Sequence, residues 1–204
     1  MECILLGLDL GTQSVHAMAV TADGKVLAEA GQAYESINVA QDPLKEQDAD
    51  QWEQAAVAAL RQVAAKLTCS ADCPVYLAID GTSGTILPVG KDGRPLRTTL
   101  MYNDSRAKEE AALVHGTCAA LEEKLGYKMG TSYGLPKILW IKNHQPEIYA
   151  RTAAMVHQAD YLVGCLTGTY QVTDYSNALN RKQRTSPAPA HRQLHGRGVV
   201  QIVV

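Results

Sequence analysis

Short apolar runs that stop on a carboxylate set the rhythm of this chain. Ile4-Leu5-Leu6-Gly7-Leu8 is too brief for a helix and continuous enough for a strand buried on both faces, which puts Asp9 where that strand leaves the core. Ser14 to Thr21, Asp23-Gly24 and Val26 to Tyr34 then read as strand, hairpin turn and strand. The same device returns at Val75 to Ile79, which ends on Asp80 and runs into Gly81-Thr82-Ser83-Gly84-Thr85. Between the two, Asp48-Ala49-Asp50-Gln51 has a capping-box pattern, and Trp52, Ala55, Ala56, Ala59, Leu60, Val63 and Leu67 recur at helical spacing.

Further along, Ile86 to Val89, the turn Asp92-Gly93, and Thr98 to Tyr102 predict a second hairpin leading into Asn103-Asp104-Ser105-Arg106. Asp104 is placed to cap a helix through Leu113, and a short helix from Ala119 to Leu125 precedes Gly126. Leu135, Ile138, Leu139 and Ile141 mark one face of a helix that ends near Asn143, with Pro146 as its stop. A helix from Met155 closes at Gly168, with Asp160 in its middle. Thr169 to Val172 reads as a short strand before the polar turn 173–178. Past Asn180 the pattern collapses into Ser186-Pro187-Ala188-Pro189-Ala190, and only Val199 to Val204 is strand-like.

The hydrophobic content of 46% is ample for a packed core, and no apolar run approaches the ~18 residues that cross a bilayer. Met1-Glu2-Cys3 lacks the basic start of a secretory signal, which makes the cytoplasm the default location. Cys3, Cys69, Cys73, Cys118 and Cys165 are scattered, which argues for reduced thiols. No second Cys/His pair completes a zinc set with Cys69 and Cys73. After Asp174 there is no acidic residue, yet Arg181, Lys182, Arg184, Arg192 and Arg197 follow. No aromatic residue is interleaved with these charges, which argues against nucleic acid as a partner.

Two strands ending in the same way direct attention to one place. In open α/β sheets ligands gather at the carboxyl ends of strands, so Asp9 and the Asp80 to Thr85 turn are expected to flank one cleft. Gly11 is expected to turn the backbone with positive φ, the Thr12 and Ser14 hydroxyls and free N–H groups to ring a phosphate, and Asp9 to face its magnesium. Plainer roles stand beside these: Asp9 capping a turn, Asn103-Asp104 capping a helix, and Asp174 opening one.

Taken together the motifs resemble the N-terminal half of the FGGY carbohydrate kinases, a branch of the actin, hexokinase and heat-shock ATPase superfamily. Gly7-Leu8-Asp9-Leu10-Gly11-Thr12-Gln13-Ser14 is similar to the family's first phosphate loop, and Glu46-Gln47-Asp48 with Trp52 to its entry into the first helix. Leu166-Thr167-Gly168 followed by Asp174 and Ala178 is similar to the signature near the end of that half. His16 stands where many members have Arg. Asp80 to Thr85, Tyr102-Asn103-Asp104-Ser105 and His157-Gln158-Ala159-Asp160 look most like the ribulokinase-type and plastid xylulokinase-like members, which favours a ketopentose, D-ribulose first.

The resemblance implies an α/β, ribonuclease-H-like domain over residues 1–180, a mixed sheet flanked by helices, and ATP-dependent phosphorylation of a sugar hydroxyl with Mg²⁺. It implies Gly11, Thr12, Gln13 and Ser14 on phosphate, Asp9 toward the metal, and Asp80, Thr82, Ser83, Asn103, Asp104 and Asp174 toward the sugar. The general base, second phosphate loop and adenine pocket belong to the family's C-terminal lobe, which these 204 residues lack. The basic tail 181–204 departs from the family, and a frame shift or truncation is one expectation for it. A non-catalytic sugar-binding module and an inactive fragment are the alternatives, and an exposed interdomain face is expected to promote association.

Overall fold

The computed structural model describes residues 3–35, 44–69, 73–170, 172–174, 177 and 200–203. Its centre is a five-stranded mixed sheet in the order β3-β2-β1-β5-β9, where β1 is Ile4–Leu10, β2 Ser14–Thr21, β3 Val26–Ala33, β5 Val75–Gly81 and β9 Val200–Val203. The first three strands form an antiparallel meander, and β5 runs parallel to both β1 and β9. The Asp23-Gly24 turn closes the predicted hairpin, with Gly24 at φ 87°. The tail strand predicted at Val199 to Val204 therefore exists as β9, on the free edge of β5.

One face of this sheet is packed. Helix α1, Ala49–Ala64, lies over β2 and β3, and helix α5, Gln158–Thr167, lies over β5 and against α1. Ile4, Leu8 and Leu10 point into that layer with Val15, Ala17 and Ala19, each below a tenth exposed. Trp52 is fully buried there and donates its indole N–H to Gln47 Oε1 at 2.8 Å. The opposite face carries Leu5 and Met18, 39% and 42% exposed, so β1 is covered on one side, where a continuous apolar run predicted two. Among the described residues no helix packs on that face, and this is why Asp9 sits within the strand without being buried.

The peripheral elements differ more from expectation. Asp48 caps α1 through the Asp50 N–H at 3.0 Å, but the reciprocal half of the box is missing because Gln51 accepts from the Glu35 N–H instead. Leu67 falls beyond the helix end. The predicted second hairpin splits: β6, Leu87–Val89, pairs with β8, Ala154–Val156, while β7, Thr99–Leu100, pairs with β4, Glu46–Gln47. Only single bridges, Ile86 to Leu100 and Val89 to Pro95, join the two arms, as the missing N–H groups of Pro88 and Pro95 would lead one to expect.

Helix α2 runs Lys108–Leu125 with a non-helical kink at Cys118, so the two predicted helices are one broken helix, and Ala107, not Asp104, stands at its N-cap. Helix α3 is Gly134–His144, and Pro146 opens α4, Pro146–Arg151, at a position where its missing N–H costs nothing. Met155 and Val156 belong to β8, so α5 starts three residues later than the apolar pattern predicted. Asp160 lies in its first turn and accepts the His157 N–H at 3.0 Å. Residues 169, 170 and 172 form no strand. A second small core of Ile86, Leu100 and Ile141 joins β7 to α3.

Replacing Trp52 with Ala removes the largest side chain of the packed layer and the indole N–H that it donates to Gln47 Oε1. A loss of about 3–5 kcal/mol is expected, read as a fall in the urea midpoint at nearly constant slope.

Candidate functional site

The ends of β1 and β5 carry the candidate chemistry side by side. The parallel register pairs Asp9 with Asp80, and the antiparallel register pairs Asp9 with His16. All three side chains are exposed on the open face, at one end of a groove of about 700 Å³ lined also by Gly7, Met18 and Ala78. Asp80 accepts the Gly81 N–H through Oδ1 at 2.8 Å, and Ser14 Oγ meets His16 Nε2 at 3.0 Å.

The loop after β1 is shaped differently from the sequence expectation. Gly11 does not adopt positive φ; its own N–H donates to the Ser14 carbonyl at 2.9 Å, closing a tight turn. A Cβ there would stand 3.3 Å from that same carbonyl oxygen, so glycine serves close approach, not handedness. Two buried side chains brace the loop from behind. Gln47 Nε2 donates to the Thr12 carbonyl at 2.5 Å, and the Tyr34 hydroxyl donates to the Gly11 carbonyl. Burial pushes the Tyr34 phenol up to about 12, and the Asp9 charge adds to that rise, so the hydroxyl keeps its proton as a donor.

Across the cleft mouth the Thr82 to Thr85 turn is stitched into the same frame. Thr82 donates to Gln158 Oε1 through its N–H at 3.1 Å and its hydroxyl at 2.8 Å. The Thr82 and Thr85 hydroxyls are 2.9 Å apart, and Thr85 Oγ1 accepts the Tyr102 N–H at 3.2 Å. Gly84 turns with φ 75°, and a Cβ on it would collide with the Ser132 carbonyl oxygen. The turn is thereby held against the loop 130–134, with Ser83 exposed at its tip.

Asn103 is exposed beside this turn, whereas Asp104 is 1% exposed. The Asp104 carboxylate accepts the Lys45 N–H at 2.7 Å and a bidentate grip from Arg106, Nε at 2.9 Å and NH2 at 2.7 Å. Arg106 and Arg97 both reach Glu46 at 2.6 Å and lie over the Trp140 ring at 5.0 and 5.7 Å. The structure thus sets Asp104 in the frame behind Asn103. Lys137, fully buried on α3, spreads its ammonium over the carbonyls of Tyr102, Thr131 and Tyr133.

Asp174 lies apart from this group in its bonding. Its carboxylate takes the Asn177 N–H at 2.9 Å and amide at 2.6 Å, while neighbouring Thr173 reaches Asp160 at the start of α5. The structure therefore gathers Asp9, the Gly11 to Ser14 loop, Asp80, Thr82, Ser83 and Asn103 at one end of the sheet. Gln47, Tyr34, Gln158 and Lys137 were not singled out by the sequence reading. The motif around Gln47 and the run His157-Gln158-Ala159-Asp160 were the available signals for two of them.

A mixed sheet with an opening meander, a parallel crossover strand and two neighbouring strands that end on carboxylates has the actin-like ATPase fold. The chain belongs to the FGGY family of carbohydrate kinases: residues 4–182 match its N-terminal domain. The xylulose kinase of Bacillus subtilis (strain 168) is 28% identical over 182 residues, 85% of this chain and 35% of that protein. The xylulose kinase of Escherichia coli (strain K12) is 29% identical over 175 residues, with the same two coverages of 85% and 35%. The solved xylulose kinase from Rhodospirillum rubrum superposes with a TM-score of 0.79 at 25% identity, covering 88% of this chain and 36% of that one. The chain thus spans about a third of the length of these relatives.

Lys137 gives this site a pH signature. Burial lowers its ammonium from the ordinary 10.5 to about 8, with the Asp104 charge pulling the other way. Between those values the unfolded chain holds more protons than the native one, so stability rises with pH across that window. Urea denaturation of the wild type is expected to show this rise between about pH 8 and 10, and Lys137→Met to flatten it.

Proposed function

We propose that this chain forms the sugar-binding and first phosphate-binding part of an ATP-dependent kinase that phosphorylates a ketopentose. The register that sets Asp9 beside Asp80 carries the reading, because it puts a phosphate loop and a hydroxyl-rich turn on the same end of one sheet. The sequence motifs favour D-ribulose, and relatives named xylulose kinases add D-xylulose as an equal candidate.

Each residue has a role suited to its place. Thr12, Gln13 and Ser14 offer hydroxyl, amide and backbone donors to phosphate oxygens. Asp80, Ser83 and Asn103 offer the mixed donors and acceptors that a polyol requires, with the Thr82 turn holding Ser83 in place and Asp104 supporting Asn103 from the frame. Asp9 fits Mg²⁺, a hard cation that takes one or two carboxylates and completes its shell with water and substrate phosphates. When bound, that ion would neutralise charge on the transferred phosphoryl group. What this chain's own residues do is bind and orient: the braced Gly11 to Ser14 loop fixes phosphate, and the stitched turn fixes the hydroxyl that faces it.

Calorimetric titration of the 204-residue chain with D-ribulose, D-xylulose and MgATP tests the reading. Saturable binding of one ketopentose is expected, together with MgATP binding that Asp9→Ala weakens at least about tenfold. A coupled assay is expected to show no phosphoryl transfer, because the general base implied by the family resemblance is not among these residues. Absence of binding to every ketose overturns the sugar assignment, and turnover overturns the assignment of the base. The open face with Leu5 and Met18 also predicts self-association, and a monodisperse monomer in size-exclusion chromatography would refute that.

A further inference from the structure

The side chain of Gln158 sits where the phosphate loop and the sugar turn come closest. It is fully buried at the first position of α5, whose start faces the carboxyl ends of β1 and β5. Gly81 makes room for it: a Cβ there would stand 3.3 Å from the Ala159 nitrogen and 3.4 Å from Gln158 Oε1.

Its amide has two donors and two acceptor positions, and this site uses all four. The Thr82 backbone N–H, 3.1 Å away, can only donate, so the oxygen of the amide must face it. The same oxygen takes the Thr82 hydroxyl at 2.8 Å. The NH2 end is then turned to the Tyr34 hydroxyl at 3.3 Å and the Gly11 carbonyl at 3.5 Å, the latter able only to accept. Tyr34 passes its own proton to that carbonyl. Proton directions are consistent from end to end, from the Tyr102 N–H through Thr85, Thr82 and Gln158 to Gly11. No other uncharged side chain of this reach supplies both a double acceptor and a double donor: Glu lacks the donors, and Leu or Met lacks both.

We propose that Gln158 is a positioning residue that ties the Gly11 to Ser14 loop to the Thr82 turn, setting the relative placement of phosphate and sugar. The functional half of this statement rests on the reading given under Proposed function; the tie itself does not. The amide contacts neither ligand and acts through the two segments it holds. Because its two ends serve different segments, its variants separate them. Gln158→Glu keeps the acceptor for Thr82 and loses the donors for Gly11 and Tyr34. Tyr34→Phe loosens the same side without adding charge, and Gln158→Leu releases both sides.

The test uses the 204-residue chain, with D-ribulose, D-xylulose and MgATP as probes and amide hydrogen exchange on the unliganded protein. Thr82 exchange is expected to rise about tenfold or more in Gln158→Leu and to stay near wild type in Gln158→Glu. Binding is expected to split in step. Gln158→Leu weakens ketopentose and MgATP about tenfold each, while Gln158→Glu and Tyr34→Phe weaken MgATP and leave the ketopentose within about twofold. A residue that served stability alone would move both affinities together with the melting temperature. Unchanged Thr82 exchange in Gln158→Leu, or equal loss of both ligands in Gln158→Glu, overturns the proposal. If the wild type binds neither ligand, the functional reading fails, and the exchange data still decide whether the tie exists.

Discussion

The register between β1 and β5 is the constraint on which everything else rests. Leu8 faces Ile79 and Leu10 faces Gly81 in the packed layer, while Asp9 and Asp80 share the open face. Side chains alternate with a period of two, so a slip of one residue would drive a carboxylate into the layer beneath α1 and expose a leucine in its place. The hydrophobic pattern thus enforces the pairing, and the pairing sets two acidic side chains about one strand spacing apart, near 4.8 Å. Two adjacent loops then leave the sheet at the same level, which brings the Gly11 to Ser14 loop next to the Thr82 turn.

Around this register the molecule places polar groups at close quarters and satisfies them from long range. Gln47 links Trp52 in the packed layer to the Thr12 carbonyl, and Gln158 links α5 to both loops. Glu46, next to Gln47, gathers Arg97 and Arg106, and Arg106 in turn holds Asp104. A buried charge missing one partner is costly, so such a cluster resists partial rearrangement. The loops keep their shape because the frame behind them has few alternatives of similar energy.

The parts of the fold that depend on neighbours in sequence were legible, and those that depend on distant partners were not. The hairpin at Asp23-Gly24, the two strands ending on carboxylates and the amphipathic α1 follow from local pattern and turn chemistry. Met155 and Val156 were ambiguous because a short apolar run suits helix or strand alike, and only pairing with β6 decides. Asp104 looked like a cap because its Lys45 partner lies 59 residues away, and the run around Gln158 did not disclose that residue's role because its Gly11 contact spans 147. The double burial expected for β1 failed for a related reason: an apolar run records the capacity to be covered, not the presence of a cover.

The outermost lane of the sheet comes from a segment beyond the family match, which ends at residue 182, yet Val200–Val203 aligns with Val75 to Ala78 as an ordinary parallel partner. Parallel pairing is made by main-chain groups that every residue other than proline possesses, so this lane demands an extended, apolar stretch and little else. The pairing beside β5 therefore rests on main-chain geometry, in contrast to the loops at the strand ends, whose shape rests on particular side chains. A sheet completed in this way gains a strand without drawing on the chemistry of its loops.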